Sequence, residues 1–344
     1  MKSSTGINLK ASPRFFDFFN SNYKCRFYGD DNLYPQHLQD FLQSSPSLAE
    51  CVERKSVFLS NAEGYEILKK KDIETICNSY SLFGGFALLL TYNLLGDIQT
   101  VSPIPFETIR LGEKGEDGII TYCYYCGDWA GVDTVNTERI NPNTDKKRYY
   151  LFTGSIETRL NRLGNDTNYS DIMYFSNRAT YPNSPATPVM NYISSEVGIA
   201  NLMYRNIRTN FTPSMVISHL RQSEETERDF EENLGRLQGD ENALKIMSFS
   251  YSSIDEKPEA INLSPEDYTA RCKDASDACR TAVFSAFNQT QFLRLADGSL
   301  GFGSEAIQEI FKYYNFFLSS ERQTLQAELN KIDPNLILDQ INYA

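Results

Sequence analysis

"FGGFALLLTYNLLGDIQTV", residues 83–101, is the stretch on which the fold class turns. It reads as an apolar strand, a turn around Gly96 and Asp97, and a second strand. Beyond it, further strands are expected in "TIRLG" (108–112), "GIITYCYYCG" (118–127), "RYYLFTG" (148–154) and "IMYFSN" (172–177), separated by clusters of Gly, Asn, Asp and Pro. Before it, "QHLQDFLQSSPSLAECVERKSVFLS" (36–60) reads as two short helices, with Ser45 capping a turn and Pro46 at the first helical position of the second. Another helix is expected at 70–80. The first half of the chain is therefore α+β, with a mainly antiparallel sheet.

The second half changes character. Thr187 and Pro188 open a helix in which Val189, Tyr192, Ile193, Val197, Ala200, Met203 and Ile207 recur at helical spacing through about residue 209. "PSMVISHL" (213–220) is then a strand, "SEETERDFEENLGRLQG" (223–239) an acidic helix with Phe230, Leu234 and Leu237 on one face, and "NALKIMSFSY" (242–251) a strand. The next helix starts at a well-specified point, with Ser264 as N-cap, Pro265 in the first turn, and Glu266 and Asp267 at the positive end of the macrodipole. Along it Tyr268, Cys272, Ala275, Cys279, Ala282 and Ala286 form a seam of mostly small residues against which another helix can pack closely. A last, long helix from Ser304 to about Asn330 carries Ile307, Phe311, Tyr314, Phe317, Leu318, Leu325 and Leu329. No internal repeat and no low-complexity segment is visible.

With 41% apolar residues, 22 Phe and 21 Tyr in 344 residues, the chain can fill one large core or two modest ones. No run has the length of apolar sequence that a membrane span needs, and "MKSSTGINLKASPRFF" (1–16) lacks the apolar segment of a secretory signal. A soluble protein made in the cytosol is expected. Seven cysteines without framework spacing point to reduced thiols, most of them core fillers. Asp and Glu total 45 against 33 Lys and Arg, and the net charge of −12 disfavours a tight nucleic-acid groove.

Gly298, Gly301 and Gly303 lie just before the last helix, where backbone N–H groups can hold an anion. The residues speak against a phosphate cradle. No Gly-Lys-Ser/Thr follows, the spacing is G-x-x-G-x-G rather than that of the dinucleotide fingerprint, and Glu305 sits in the first turn of the helix. A mobile connection between two helices is the better reading, although Leu293, Leu295, Leu300 and Phe302 are unusually apolar for a solvent loop. Cys123 and Cys126 have half of a zinc spacing without a second pair, and in a strand they point to opposite faces. His37 and His219 are the two histidines, and neither stands in a nucleophile motif. The carboxylates of "EETERDFEEN" (224–233) read as a solvated or partner-facing helix surface. No catalytic constellation, cofactor site or metal site is expected, and the chain is not expected to be an enzyme.

The order of elements carries more than any motif. "YGDDNLYPQHL" (28–38), "YSLFGGFALLLTYNLLGDIQTVSPIPFETIRL" (80–111), "YPNSPATPVMNYISSEVGIANLMYRNIRTNFTPSMVI" (181–217) and "GDENALKIMSF" (239–249) together resemble, in order, the portal proteins of tailed bacteriophages. The resemblance covers nearly the whole chain. It implies an α+β, portal-like fold with an α/β wing (1–185), stem helices (186–210 and 261–287), a small α/β clip (211–260), a tunnel loop (288–303) and a C-terminal wing or short-crown helix (304–344). It also implies a homo-oligomeric ring, expected to be a dodecamer, at the capsid vertex of a virion assembled in a bacterial cytoplasm. Genome packaging and ejection would pass through that ring. The implied partners are the terminase large subunit, the major capsid protein, a head-tail adaptor and double-stranded DNA held non-specifically. No membrane is implied.

The residues assigned on this basis to the DNA-channel loop are Phe292, Arg294, Leu295, Asp297, Gly298, Leu300, Gly301, Phe302 and Gly303, with Arg294 either touching phosphate or pairing with a carboxylate. Stem packing falls to the Tyr268–Ala286 seam, and partner binding by the clip to Glu224, Glu225, Arg228, Phe230 and Glu231. An acidic channel wall and a glycine-bearing loop suit a conduit in which DNA slides. The competing readings are a virion head or head-tail assembly protein without a channel, and a nucleotide-binding enzyme built on Gly298–Gly303.

Overall fold

Prolines and a serine set the first helices. Strands β1 (Asp17–Asn20) and β2 (Cys25–Tyr28) pair antiparallel and lead into α1 (Tyr34–Ser44) and α2 (Pro46–Leu59). Pro35 and Pro46 stand in first turns, where a missing N–H costs no helical hydrogen bond, and the Ser45 side chain accepts from the Leu48 N–H at 3.2 Å. After the short β3 (Ala62–Glu63), α3 (Lys70–Phe83) ends at Gly84, whose φ of 80° is left-handed. There a Cβ would also come within 2.4 Å of the Asn177 side-chain amide.

The stretch 83–101 folds as β4 (Gly85–Tyr92), a turn, and β5 (Ile98–Ile104). With β6 (Ile109–Leu111), β7 (Tyr122–Tyr125), β8 (Lys147–Leu151) and β9 (Ser170–Ser176) they make a six-stranded sheet in the order β5-β4-β9-β8-β7-β6. Only the β8–β9 pair among these is parallel. The sheet is thus mainly antiparallel, as the sequence leads one to expect. Its outer strand β5 carries Pro103, opposite Leu88 of β4.

Both faces of the sheet are covered at β4, which explains why that strand is apolar throughout instead of alternating. Ala87, Ile172, Cys123 and Leu111 join a core with Leu38, Leu48, Val52, Phe284 and Phe287. Phe86, Leu88, Leu90 and Met173 point the other way, into a second core with Ile73, Ile76, Tyr314, Leu325 and Leu329.

The remaining elements are α4 (Met190–Arg208), β10 (Val216–Leu220), β11 (Met247–Tyr251), α5 (Tyr268–Ala286), α6 (Thr290–Ala296), α7 (Ser304–Phe317), α8 (Ser319–Leu329) and β12 (Ile337–Leu338). This computed structural model describes residues 17–93, 95–130, 146–154, 170–208, 216–220, 228, 247–251, 268–296 and 303–341. The chain divides into Met1–Ile193 with Thr281–Ala344, and Ser194–Arg280, so that the divisions fall inside α4 and α5. Within the second unit β10 and β11 pair in parallel, with Val216 opposite Met247. In the first, β12 pairs antiparallel with β3.

Two expectations need correction. The long helix from Ser304 is interrupted at Leu318, and the Ser319 hydroxyl donates to the Phe316 carbonyl at 2.7 Å. Residues 290–296 are helical, not a loop.

The "YGDDNLYP" turn builds a buried polar knot. Gly29 and Asn32 adopt left-handed backbone, with φ of 89° and 63°. This aims the Asn32 side chain at the Tyr28 N–H (3.0 Å) and at Nε of the fully buried Arg110 (2.7 Å). The other four Arg110 donors reach the carbonyls of Glu107 (2.8 Å), Ile109 (2.7 Å) and Asn32 (2.5 Å) and the Gln36 amide oxygen (3.1 Å). All five guanidinium hydrogens are used, which is the condition for burying this cation on neutral acceptors. Beside it the Tyr28 ring stacks between Tyr34 and Tyr181, at centroid distances of 5.1 and 4.2 Å.

Candidate functional site

The segment entering 288–303 is fixed by a change of backbone hand. Asn288 follows α5 with φ of 55°, ending the helix, and the Gln289 N–H returns to the Phe284 carbonyl at 2.8 Å. This turns the Gln289 side chain inward, where it is fully buried. Its amide nitrogen donates to the Cys51 carbonyl (2.8 Å) and meets the Tyr314 hydroxyl (2.7 Å), and its oxygen accepts from Arg54 Nη1 (2.8 Å). Burial pushes the Tyr314 hydroxyl upward, so it stays neutral in this site.

Arg54 continues the network. Its Nη2 donates to Glu50 at 2.5 Å, and its guanidinium lies 4.6 Å from the centroid of Phe292 and 5.6 Å from that of Phe284. Phe292 in turn meets Phe58 and Tyr314 edge-on, at 6.0 and 5.3 Å. Helices α2, α5, α6 and α7 are therefore joined at one cluster, and α6 is docked against it. Phe292 is accordingly on a helix and not on a loop, half-buried with its ring packed against this cluster. Arg294 is exposed and Leu295 half-buried on α6, and Gly303 precedes α7 in extended backbone. Asp297, Gly298, Leu300, Gly301 and Phe302 lie outside the described residues.

The small-residue seam of α5 is met only in part. Cys272 and Cys279 are buried and Ala282 and Ala286 half-buried, but Ala275 is exposed. In the last turns of the helix the interior stripe is instead Val283, Phe284 and Phe287, the largest apolar side chains available. Tyr268 begins the described part of the helix; its side chain is not described. Burial, with Glu196 nearby, pushes the Cys279 thiol up, so it is no activated nucleophile. Of the clip residues, Arg228 is helical and exposed, while Glu224, Glu225, Phe230 and Glu231 lie outside the described residues.

The other flagged residues have structural settings. Cys123 faces the main core and Cys126 a small cluster with Cys25 and Trp129, so the two thiols do not converge. His37 Nε2 lies 2.8 Å from Asp31. Among the described residues no group of three His, Cys, Asp or Glu is placed to hold a metal ion. No described helix is long and apolar enough to cross a membrane.

Gln289, Arg54 and Arg110 were not singled out from the sequence. Gln289 stands between Phe287 and Phe292, and a polar residue so placed is the available cue to a buried amide. No local signal marks Arg54 as its partner, because they meet only through the fold.

Over 89% of its length the chain is similar to a chain in the virion of a native gene transfer agent (GTA) particle, covering 83% of that chain with 14% identity and a TM-score of 0.52. A chain from the neck of an empty GTA particle computed with C6 symmetry is similar at a TM-score of 0.50, again with 14% identity, over 89% of this chain and 84% of that one. A looser similarity, with a TM-score of 0.41 and 10% identity, is to the crystal structure of an HK97-family phage portal protein from Corynebacterium diphtheriae, over 88% of this chain and 95% of that one. No family model and no curated protein matches the sequence. The α+β arrangement described above is thus the fold of chains found in GTA virions and necks.

Proposed function

We propose that the protein is a portal: a ring-forming, non-enzymatic head-tail connector through which a genome is packaged and released. The observation that carries this reading is the agreement in fold, over 89% of the chain, with a chain of a GTA particle. The ordered sequence resemblance to portal proteins points the same way. A neck computed with C6 symmetry contains a chain of this fold, which supports a ring of identical copies here. The surface of α7 adds support. Ile310 and Tyr314 are buried, whereas Tyr313, Phe316 and Phe317 stand 51%, 78% and 38% exposed on the same helix. An aromatic stripe of this kind is rarely left to water in a monomer.

In this reading the ring sits at a capsid vertex. The terminase large subunit, a head-tail adaptor and the major capsid protein dock on it, and DNA passes through without sequence-specific contact. Particle imaging and native mass measurement of the purified full chain test the proposal. A ring with a central opening wide enough for duplex DNA is expected. A persistent monomer, or a ring with no such opening, overturns it.

A further inference from the structure

We infer that the face of the sheet formed by Tyr122, Tyr124, Arg148 and Tyr150 is the docking surface for an acidic patch on a second copy of this chain. The inference rests on the ring reading and names a contact that holds the ring. Tyr122 pairs across the strands with Tyr150, and Tyr124 with Arg148, so the four side chains share one face of the β7–β8 ladder.

Arg148 is exposed, and its guanidinium is held over Tyr122 at 4.4 Å and Tyr150 at 5.4 Å. The rings are fixed in turn. Tyr122 and Tyr124 meet edge-on at 5.6 Å, and the Glu113 N–H donates to the Tyr122 hydroxyl at 3.3 Å. The Tyr122 ring lies so close to Gly112 that a Cβ there would come within 2.2 Å of it. Lys146 adds a second cation, 4.5 Å from the Tyr124 centroid and bonded to the Tyr23 carbonyl.

Arg26, Arg54, Lys55 and Lys331 each have a carboxylate partner. Among the described residues no carboxylate reaches Arg148. An exposed guanidinium pre-oriented by two rings on a rigid strand needs little ordering to accept a carboxylate.

The charge of the whole chain selects the occupant. At −12 each copy repels the next, so copies associate only where the touching surfaces are locally complementary. A basic, aromatic patch on a chain with 45 acidic residues supplies one half of such a contact, and the carboxylate-rich surface of another copy supplies the other. Duplex DNA would meet the same net repulsion and presents phosphates but no apolar surface for the three rings.

The test uses the full chain in a dilution series followed by single-particle mass measurement. Arg148→Glu should raise the concentration at which half of the chains are assembled by about tenfold or more, and Arg148→Lys by less. Assembly of Arg148→Glu at the wild-type concentration overturns the inference while leaving the ring reading intact. The same unchanged assembly with lost binding to a fluorescent duplex assigns the face to DNA and also overturns it. A wild-type chain that stays monomeric throughout removes the ring reading and the inference together. Independently, carbodiimide coupling of Arg148→Lys, in a mixture of isotopically light and heavy chains, should link residues 146–148 to a carboxylate of another copy. Links confined to single chains count against the docking surface.

Discussion

Replacing Gln289 by leucine keeps the side-chain volume but removes both hydrogen bonds of its amide nitrogen and the acceptor for Arg54. Stability should fall by about 2–4 kcal/mol, measured by urea unfolding, since the groups left behind are buried. Amide exchange across 287–296 should accelerate while Phe292 stays packed. Asp31 provides a pH-dependent counterpart. Burial opposes its ionisation, but hydrogen bonds from His37 and the Leu33 N–H outweigh that and hold its carboxyl below the ordinary value of 3.8. A lowered folded-state value means that its contribution is fully present above pH 3.8 and is lost as pH falls through the folded value. The Asp31→Asn protein should therefore show a shallower loss of thermal stability below that pH than the wild type.

At the scale of elements, the described part of the entry to the proposed tunnel loop is a docked helix, and this narrows the segment available to move. Deleting residues 297–302 leaves both α6 and α7 whole. In the portal reading the shortened protein still forms rings but retains packaged DNA poorly, which a nuclease-protection assay of filled particles measures. Failure to form rings with the monomer folded would place the segment in the subunit contact. The sequence announces most elements correctly because their signals are local: the Ser45 turn with Pro46 opening a helix, the turn at Gly96-Asp97, and the apolar strand that follows Gly84. It misleads where the decision is tertiary. The apolar positions of 290–296 look alike in a mobile connection or a docked helix, and the Gln289 and Arg54 contacts, brought together from distant parts of the chain, choose between them. On α5 the small residues at regular spacing point to a seam, yet Val283, Phe284 and Phe287 have more surface to bury and set the orientation of its last turns. The Arg148 face was hidden for the same reason, because cross-strand register cannot be read from "YCYY" and "KRYYL" separately.

For the molecule as a whole, the ring reading sets assembly against a net charge of −12, and the imaging experiment and the Arg148→Glu series examine the two sides of that tension. Among the described residues β5 ends the main sheet, and that edge bears on how the tension is resolved. An outer strand is a template that any extended segment can lengthen, and a protein that gathers many copies in one place is exposed to runaway fibre growth through it. Pro103 offers no N–H at that edge and interrupts the row of donors an incoming strand would need. In the ring reading this favours closed rings over endless ribbons, since copies are left to meet through side-chain surfaces whose geometry can limit their number.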